Sequence, residues 1–284
     1  MSEPSPMLKS LELEQVGENQ FRGQSVFSEQ RPVVFGGQLM GQMIVAAATA
    51  VPGKNVKSIH TIFARAGTVA KPVDLELDVM HSGRALASVT VTARQGDRLL
   101  SRGLLLLDAG EPDLIRHSLP MPAVTPPDKL ERRKGTEQGS DLRIVDEVDL
   151  WTTDVTGGPE LNVWVRFDQA PDDQAVHQAL LSWYTDPFLI AAAMRPHPGI
   201  GESMSHDTIS TGVVTHTLSF HEPVKATGWL LLANQSLYAG GGRTYGSGQV
   251  FDADGHQVAS YVQDNLVRAF RDDPAPRGKG TMTM

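Results

Sequence analysis

The chain has 284 residues, with 25 Lys and Arg against 33 Asp and Glu, and its formal net charge is -8 at pH 7. An acidic chain of this kind lacks the basic stripe of a general nucleic-acid binder, so we expect no nucleic-acid partner. It contains no cysteine, which excludes disulfides, thiolate nucleophiles and cysteine-ligated zinc. At about 150 residues per domain, the length suggests two domains or one large one.

Targeting and membrane signals are absent from the sequence. The N-terminal segment MSEPSPMLKSLELEQ has no basic start followed by an apolar run, as a signal peptide would have. The most apolar stretches, such as Met40 to Val51, fall short of the roughly 20 residues that a membrane span needs. We therefore expect a cytoplasmic protein with no membrane span.

The first half of the chain reads as strands, one helix and more strands. Residues Leu11 to Val26 alternate loosely between polar and apolar and predict strands. After Phe35, a long run of apolar and small residues predicts a buried helix that ends before Pro52. Four β-rich segments punctuated by turn residues then predict strands: VKSIHTIFARAG, VDLELDVMHSGRA, ASVTVTARQGD and LLSRGLLLLDAG.

The second half repeats this order after a segment of different composition. Residues 109–141 are rich in proline and charge, which is typical of a surface linker. Strand-like IVDEVDLWTTDV and ELNVWVRFD are followed by a helical run that begins near Asp173 and continues through FLIAAAM, and by four more strand-like segments. We expect the tail, residues 271–284, to be disordered.

The two halves can be laid on one another, which indicates a duplication. Gly83-Arg84 matches Gly242-Arg243, and His60 and His216 stand at similar distances before Gly96 and Gly255. The pattern predicts an α+β protein of two units, residues 1–108 and 142–270, each a long helix wrapped by an antiparallel sheet. Because exposed sheet edges tend to pair, we also expect a homo-oligomer.

Several motifs, taken in order, resemble the bacterial acyl-CoA thioesterase II family. They are VFGGQLMGQ at 34–42, SIHTIFARAGT at 58–68, Tyr184-x-Asp186, RPHPGIG at 195–201, THTLSFHEPV at 215–224 and VASYVQDNLVR at 258–268. The resemblance implies a double hotdog fold of two tandem units. It also implies hydrolysis of fatty acyl-CoA by an activated water, without a cofactor.

The resemblance carries the family's catalytic Asp onto Asp186 and its Gln onto Gln263. The family's Thr falls on Val213, so the expected hydroxyl is missing there. Residues two apart in a strand share a face, and this period places Thr215 and Thr211 on the face of Val213. We expect Thr215 to supply the hydroxyl, with Thr211 as the alternative.

Hydrolysis of a thioester needs a base, an oriented water and donors for the oxyanion. Asp186 can act as the base, while Gln263 and Thr215 can position the water. Backbone N–H groups at the helix start, Gly36 and Gly37, can form an oxyanion hole, because glycine lets a ligand approach closely. His60 is a further candidate for contact with the acyl-CoA. No His, Asp and Glu cluster has metal spacing, so we expect no metal.

Each of these residues has a structural alternative. Asp186 precedes Pro187 and could cap a helix that starts there. Gln263 could lie on a solvated strand face, and the two glycines could serve only tight packing. His60 occupies a position like that of His216 in the second half, which favours hydrogen-bonded histidines with a fold role for both.

Two other functions stay open beside the thioesterase. A hotdog hydratase or dehydratase would share the fold but normally carries an Asp/His pair within one motif, and none stands around Asp186. A non-catalytic acyl-CoA-binding protein is the other alternative, because Val213 replaces the expected Thr. Release of the CoA thiol, addition of water to enoyl-CoA, or binding without turnover separates the three.

Overall fold

A computed structural model of the protein describes residues 4–26, 32–133 and 139–270. The expected disorder of the tail, residues 271–284, lies outside the described residues. So does a short part of the expected linker, residues 134–138.

Four α-helices form in the described residues, and the longest is the buried helix that the sequence predicts. Pro187 interrupts the predicted second-half helix and divides it in two, since proline has no N–H to donate within a helix. A short N-terminal helix, capped by the Ser5 side chain on the Leu8 N–H, was not predicted. The helices are α1 (Pro6–Ser10), α2 (Gly36–Ala50), α3 (Gln174–Thr185) and α4 (Phe188–Met194).

Twelve strands form across the same ranges, and nearly all of them lie where β-rich segments predict them. In chain order they are β1 (Glu14–Gly17), β2 (Gln20–Gly23), β3 (Asn55–Phe63), β4 (Val73–Ser82), β5 (Leu86–Gln95), β6 (Arg98–Asp108), β7 (Ser140–Ile144), β8 (Glu160–Phe167), β9 (Ile209–Phe220), β10 (Leu230–Gly240), β11 (Arg243–Asp252) and β12 (Gln257–Ala269).

One predicted strand, over IVDEVDLWTTDV, is wrong. Strand β7 starts at Ser140, inside the expected linker, and ends at Ile144. Asp146 and Glu147 then take left-handed backbone conformations, with φ of 60° and 49°. Two such residues in succession turn the chain out of the sheet, and Asp tolerates that conformation better than most residues. The segment from there to β8, all of which the structure describes, contains no strand.

All twelve strands belong to one antiparallel sheet whose two halves meet at β3 and β9. The strand order is β1-β2-β4-β5-β6-β3-β9-β12-β11-β10-β8-β7. The order is palindromic about the central pair, because β6 and β12 flank it and β5 and β11 come next. The register pairs His60 with Thr217 and Thr61 with His216 across the centre.

The long helices cover one face of the sheet, called here the helix face, and pack against one another. In β5 and β6, for example, buried residues alternate with more exposed ones, as expected of a sheet covered on one face. The helices α2 and α3 cross closely at Gly37. A Cβ atom there would stand 2.8 Å from the Trp183 Cα and 2.9 Å from the Ser182 carbonyl oxygen. Glycine at this position therefore allows the crossing.

The opposite, outer face is covered only in part. Residues 109–120 of the linker are exposed. Further along the linker, Met121, Val124 and Leu130 pack against strands of the second half. The Trp164 indole N–H donates to the Thr125 carbonyl oxygen at 3.0 Å. A small apolar cluster forms there, which contains Leu130, Val145, Trp164, Leu231 and Phe251. No helix in the described residues has the length and apolar character to cross a bilayer.

Candidate active site

Asp186 stands at the break between α3 and α4. It is 5% exposed, and its Oδ1 atom has no hydrogen-bond partner among the described residues. Pro187 occupies the N-cap position of α4, and no described side chain caps that helix. The capping alternative for Asp186 is therefore wrong. A buried carboxylate without a capping bond keeps its lone pairs available for a proton.

The start of α2 approaches this carboxylate from the other half of the chain. A Cβ atom on Gly36 would stand 2.9 Å from Asp186 Oδ1 and 3.2 Å from the ring tip of Phe63. The missing side chain thus lets the carboxylate lie against the helix N-terminus. Free N–H groups and the helix dipole favour negative charge at such a terminus. The prediction that Gly36 and Asp186 share a site is consistent with this contact.

Gln263, on strand β12, contacts the backbone at the same break between α3 and α4. Its Nε2 atom lies 2.9 Å from the Thr185 carbonyl oxygen and 3.1 Å from that of Asp186. The side chain is fully buried, so the alternative of a solvated strand face is wrong. The amide hydrogens are directed at the helix carbonyls, and the Oε1 atom has no partner among the described residues. Gln263 can therefore offer an acceptor to a bound molecule.

His216 completes the group, although the sequence favoured a fold role for it. Its Nδ1 atom lies 3.8 Å from Asp186 Oδ1 and 3.2 Å from Gln263 Nε2. It is fully buried, and its Nε2 atom has no partner in the described chain. The imidazole therefore stands between the carboxylate and the amide. Placing it on the same face as Gln263 required the strand register, which the sequence does not give.

Thr215 does not lie where the sequence analysis placed it. Cross-strand partners share a face, and Thr215 pairs with Asp264 and with Ile62, which is 50% exposed on the outer face. Val213 pairs with the buried Asn265 instead. The prediction that Thr215 and Val213 share a face is therefore wrong.

A β-bulge explains the change of face. Between its two pairings with β12, strand β9 contains one extra residue, Val214. Buried side chains fall on Ile209 and Thr211 before the bulge and on His216 and Leu218 after it. The period of two is broken in the middle of the strand. Thr211, the alternative source of a hydroxyl, stays buried on the helix face.

His60 lies on the outer face and not in this group. Its Nδ1 atom is 2.6 Å from the Thr217 hydroxyl across the β3–β9 pair, and its side chain is exposed. His216 pairs with Thr61 instead and points to the helix face. The two histidines are therefore not equivalent in the fold, and the structure does not bring His60 to Asp186.

The second predicted glycine serves packing. Gly37 lies at the crossing with α3, where its carbonyl oxygen accepts a hydrogen bond from the Ser182 hydroxyl at 3.1 Å. A ligand has no approach to the helix backbone on that side, since α3 occupies the space. The packing alternative holds for Gly37, whereas Gly36 faces the carboxylate.

Polar atoms without partners in the described chain concentrate around the break. Besides Asp186, His216 and Gln263, they include the hydroxyls of Thr61 and Thr244 and both amide atoms of Asn265. An unpaired buried polar group costs about 1–3 kcal/mol. Such groups are rare in folded proteins, and several together indicate a site that uses them. Sequence analysis missed Asn265, although its spacing from Gln263 places both on one face of β12.

Among the described residues, one cluster of two aspartates and a histidine has the spacing of a cation site, so the expectation that no such cluster exists is wrong. Ligand atoms of Asp252, Asp254 and His256 lie within 4.8 Å of one another at the β11–β12 turn. The Asp252 carboxylate already accepts the backbone N–H groups of Asp254 and His256, at 3.0 and 2.8 Å. These hydrogen bonds give the Asp252 carboxylate a structural role in closing the turn.

Comparison with protein families matches both halves of the chain. Residues 118–267 match the profile of the acyl-CoA thioesterase C-terminal domain, and residues 24–107 match that of the N-terminal domain. Mouse acyl-coenzyme A thioesterase 8 is 25% identical over 91% of this chain and 87% of its own length. Acyl-CoA thioesterase 2 of Haemophilus influenzae is 25% identical over 92% and 96%.

Solved structures resemble the whole fold. Acyl-CoA thioesterase II TesB2 from Mycobacterium marinum is 28% identical, with a TM-score of 0.79, over 93% of this chain and 98% of its own. A hot dog fold protein from Alicyclobacillus acidocaldarius is 21% identical, with a TM-score of 0.76, over 94% and 100%. The second likeness shows a hotdog fold, as the sequence predicts.

Proposed function

Because the chain belongs to the acyl-CoA thioesterase family, we propose that it hydrolyses fatty acyl-CoA thioesters to free fatty acid and CoA. Family membership confirms the resemblance seen in the sequence. The observation that carries the proposal is the buried Asp186 carboxylate at the α2 N-terminus, beside His216 and Gln263. It combines a base with donors for developing negative charge in one enclosed place.

The proposed reaction uses one water and no covalent enzyme intermediate. A water that donates to Asp186 and to the free Gln263 Oε1 directs its oxygen at the thioester carbonyl carbon. As the C–O bond forms, Asp186 takes the water's proton, and backbone N–H groups at the start of α2 stabilise the oxyanion. Collapse of the tetrahedral intermediate breaks the C–S bond. The CoA sulfur then takes the proton from Asp186, which restores the carboxylate.

The role of Gln263 in this scheme differs from that of a simple donor. Its Nε2 atom is directed at the carbonyl oxygens of Thr185 and Asp186, which fixes the backbone that carries the base. Fixing the base matters because about 1 Å of misplacement can cost a hundredfold in rate. Gln263 thus positions Asp186 with one end and the water with the other.

We also propose that the chain is a double hotdog of two tandem units. Separate N-terminal and C-terminal domain profiles match residues 24–107 and 118–267. The palindromic strand order about β3 and β9 supports the same division. The proposed units are residues 1–108 and 140–270, because β7 starts at Ser140 and moves the expected boundary at 142 to that residue. Limited proteolysis that cuts first in 109–120 would agree with this division.

Homo-oligomer formation is a further part of the proposal. Ile62, Leu104 and Leu106 are apolar, exposed and near one another on the outer face of β3 and β6. A second copy presents the same patch, and a two-fold axis would make the contact self-complementary. Sedimentation of Ile62→Glu beside wild type tests it. A variant that keeps the wild-type sedimentation coefficient would place any subunit contact elsewhere.

Thiol release from a panel of acyl-CoA esters tests the proposed reaction. Asp186→Asn keeps the shape and removes the base, so we expect turnover to fall about a hundredfold or more. Asp173 gives a matched control, because its carboxylate caps α3 on the Ala175 and Val176 N–H groups, and asparagine caps equally well. Asp173→Asn should keep the wild-type rate. Binding of acyl-CoA by wild type without thiol release would favour a non-catalytic binder.

A further inference from the structure

We propose that Asn265 is a third polar contact for the attacking water in the site, at the position opposite Val213. This inference rests on the proposed hydrolysis and adds to it a residue that neither the resemblance nor the family profiles supply. It assigns the Asn265 amide a defined task, which is to donate a hydrogen bond from Nδ2 to the oxygen of the water.

The strand register places Asn265 beside the residues already described. It follows Gln263 by two positions in β12, so both side chains point to the helix face, about 7 Å apart along the strand. Its direct partner across the sheet in β9 is Val213, and its partner in β11 is Thr244. Asn265 thus stands in the row next to His216 and Gln263, which pair with one another.

The Asn265 side chain is built into the interior without a structural bond to the described chain. It is fully buried, and neither Oδ1 nor Nδ2 has a hydrogen-bond partner among the described residues. Thr244 does not satisfy it, because the Thr244 hydroxyl is likewise without a partner there. An amide that served only the fold would be bonded, as Asn234 is in β10.

Counting donors and acceptors gives the amide its task. Asp186 and the free Gln263 Oε1 are both acceptors, and together they take the two hydrogens of a water. The water oxygen keeps two lone pairs, of which one attacks the carbonyl carbon. A donor on the other lone pair fixes the direction of attack. The amide hydrogens of Gln263 are directed at backbone carbonyl oxygens, so the donor comes from another side chain. Two ring or amide nitrogens there lack a partner in the described chain, His216 Nε2 and Asn265 Nδ2, and only Asn265 stands directly opposite Val213.

Val213 explains why the donor lies on β12. A threonine at that position of β9 would offer a hydroxyl on the helix face, and valine offers none. Asn265 stands directly opposite and reaches the same space from the neighbouring strand. The donor can therefore come from either strand: from a threonine hydroxyl at position 213 of β9, or from the Asn265 amide of β12.

Asn265→Leu tests the assignment, because leucine keeps the branched shape with the same number of side-chain heavy atoms and removes both polar atoms. We expect turnover at saturating acyl-CoA to fall about tenfold to a hundredfold, in line with the loss of a positioning contact. Melting temperature should stay the same or rise, since the amide makes no bond to the described chain. In the Asn265→Leu background, Val213→Thr should restore most of the rate, and in wild type the same change should do much less.

Asn234→Leu is the matched control. The Asn234 amide donates to the Leu161 and Leu232 carbonyl oxygens and accepts from the Tyr261 hydroxyl. Its loss should therefore lower the melting temperature, unlike the loss of Asn265. Wild-type turnover in Asn265→Leu, or a loss that Val213→Thr cannot restore, would overturn the assignment of Asn265 alone. If wild type releases no thiol from any acyl-CoA, the proposed reaction and this inference fall together.

Discussion

Strands β6 and β12 occupy corresponding places in the sheet, yet their buried faces differ in chemistry. Each strand flanks the central β3–β9 pair and has its helix face covered. On β6 the buried side chains of that face are Ser101, Gly103, Leu105 and Leu107. On β12 they are Ala259, Tyr261, Gln263 and Asn265. One strand builds a core, and the other carries two buried amides.

The covering helices differ in the same way. Helix α2 runs unbroken from Gly36 to Ala50, whereas Pro187 divides the second-half helix and leaves two carbonyl groups for Gln263. The first half contributes to the site through the start of its helix, at Gly36, and through the Thr61 hydroxyl of β3. One half thus keeps an apolar, continuous packing, and the other carries the buried polar groups of the proposed site.

Among the substitutions that compare the two halves, the largest expected effect comes from closing the contact between them. A Cβ atom on Gly36 would meet Asp186 Oδ1 at 2.9 Å, so Gly36→Ala should displace the carboxylate and lower turnover about a hundredfold. On Gly37 the Cβ atom would meet the α3 backbone instead. Gly37→Ala should therefore lower the melting temperature. Thiol-release rates and thermal unfolding of both variants test this difference. If Gly36→Ala and Gly37→Ala change turnover and melting temperature alike, Gly36 does not belong to the site.

Much of this arrangement could be predicted from the sequence. The helix start at Gly36, the break at Asp186 and the polar strand around Gln263 all arise from local signals, namely glycine, proline and alternation. The bulge at Val214 could not be predicted. Thr, Gly and Val surround it, and the two faces of β9 are similar in polarity there. The sequence pattern therefore does not reveal where the alternation of faces is broken. The predicted placement of Thr215 was wrong for this reason.

Substitutions on the two strands that flank the central pair, β12 and β6, separate effects on turnover from effects on stability. Gln263→Ala leaves the Thr185 and Asp186 carbonyl oxygens without their partner, so we expect turnover to fall about tenfold to a hundredfold. Leu105→Ala on β6 opens a cavity in the core and should cost about 2–5 kcal/mol of unfolding free energy. Its turnover should stay near wild type below the unfolding transition. Denaturant unfolding with parallel assays distinguishes these outcomes, and a neutral Gln263→Ala would contradict the site.

The smallest effect should appear in the pH dependence of stability, and it should come from the second half. Burial lowers the pKa of His177, which lies on α3, and burial lowers the pKa of His221 after β9. The His177 Nδ1 atom also accepts the Ala226 N–H at 3.1 Å, which only the neutral ring can do.

Proton uptake by the folded and unfolded states sets the sign of this effect. The folded pKa of each histidine lies below the unfolded value of about 6.5, so the unfolded chain takes up the protons first as pH falls. The stabilising contribution of the neutral rings is therefore present above about pH 6.5 and is lost as pH falls toward the folded pKa. We expect urea unfolding free energies to decrease from about pH 7.5 to 5.5 in wild type, and to decrease less in His177→Gln, whose side-chain oxygen can still accept the Ala226 N–H. The double variant with His221→Gln should show the flattest profile. An unchanged slope in the double variant would mean that the acid sensitivity of the fold does not arise from these two histidines.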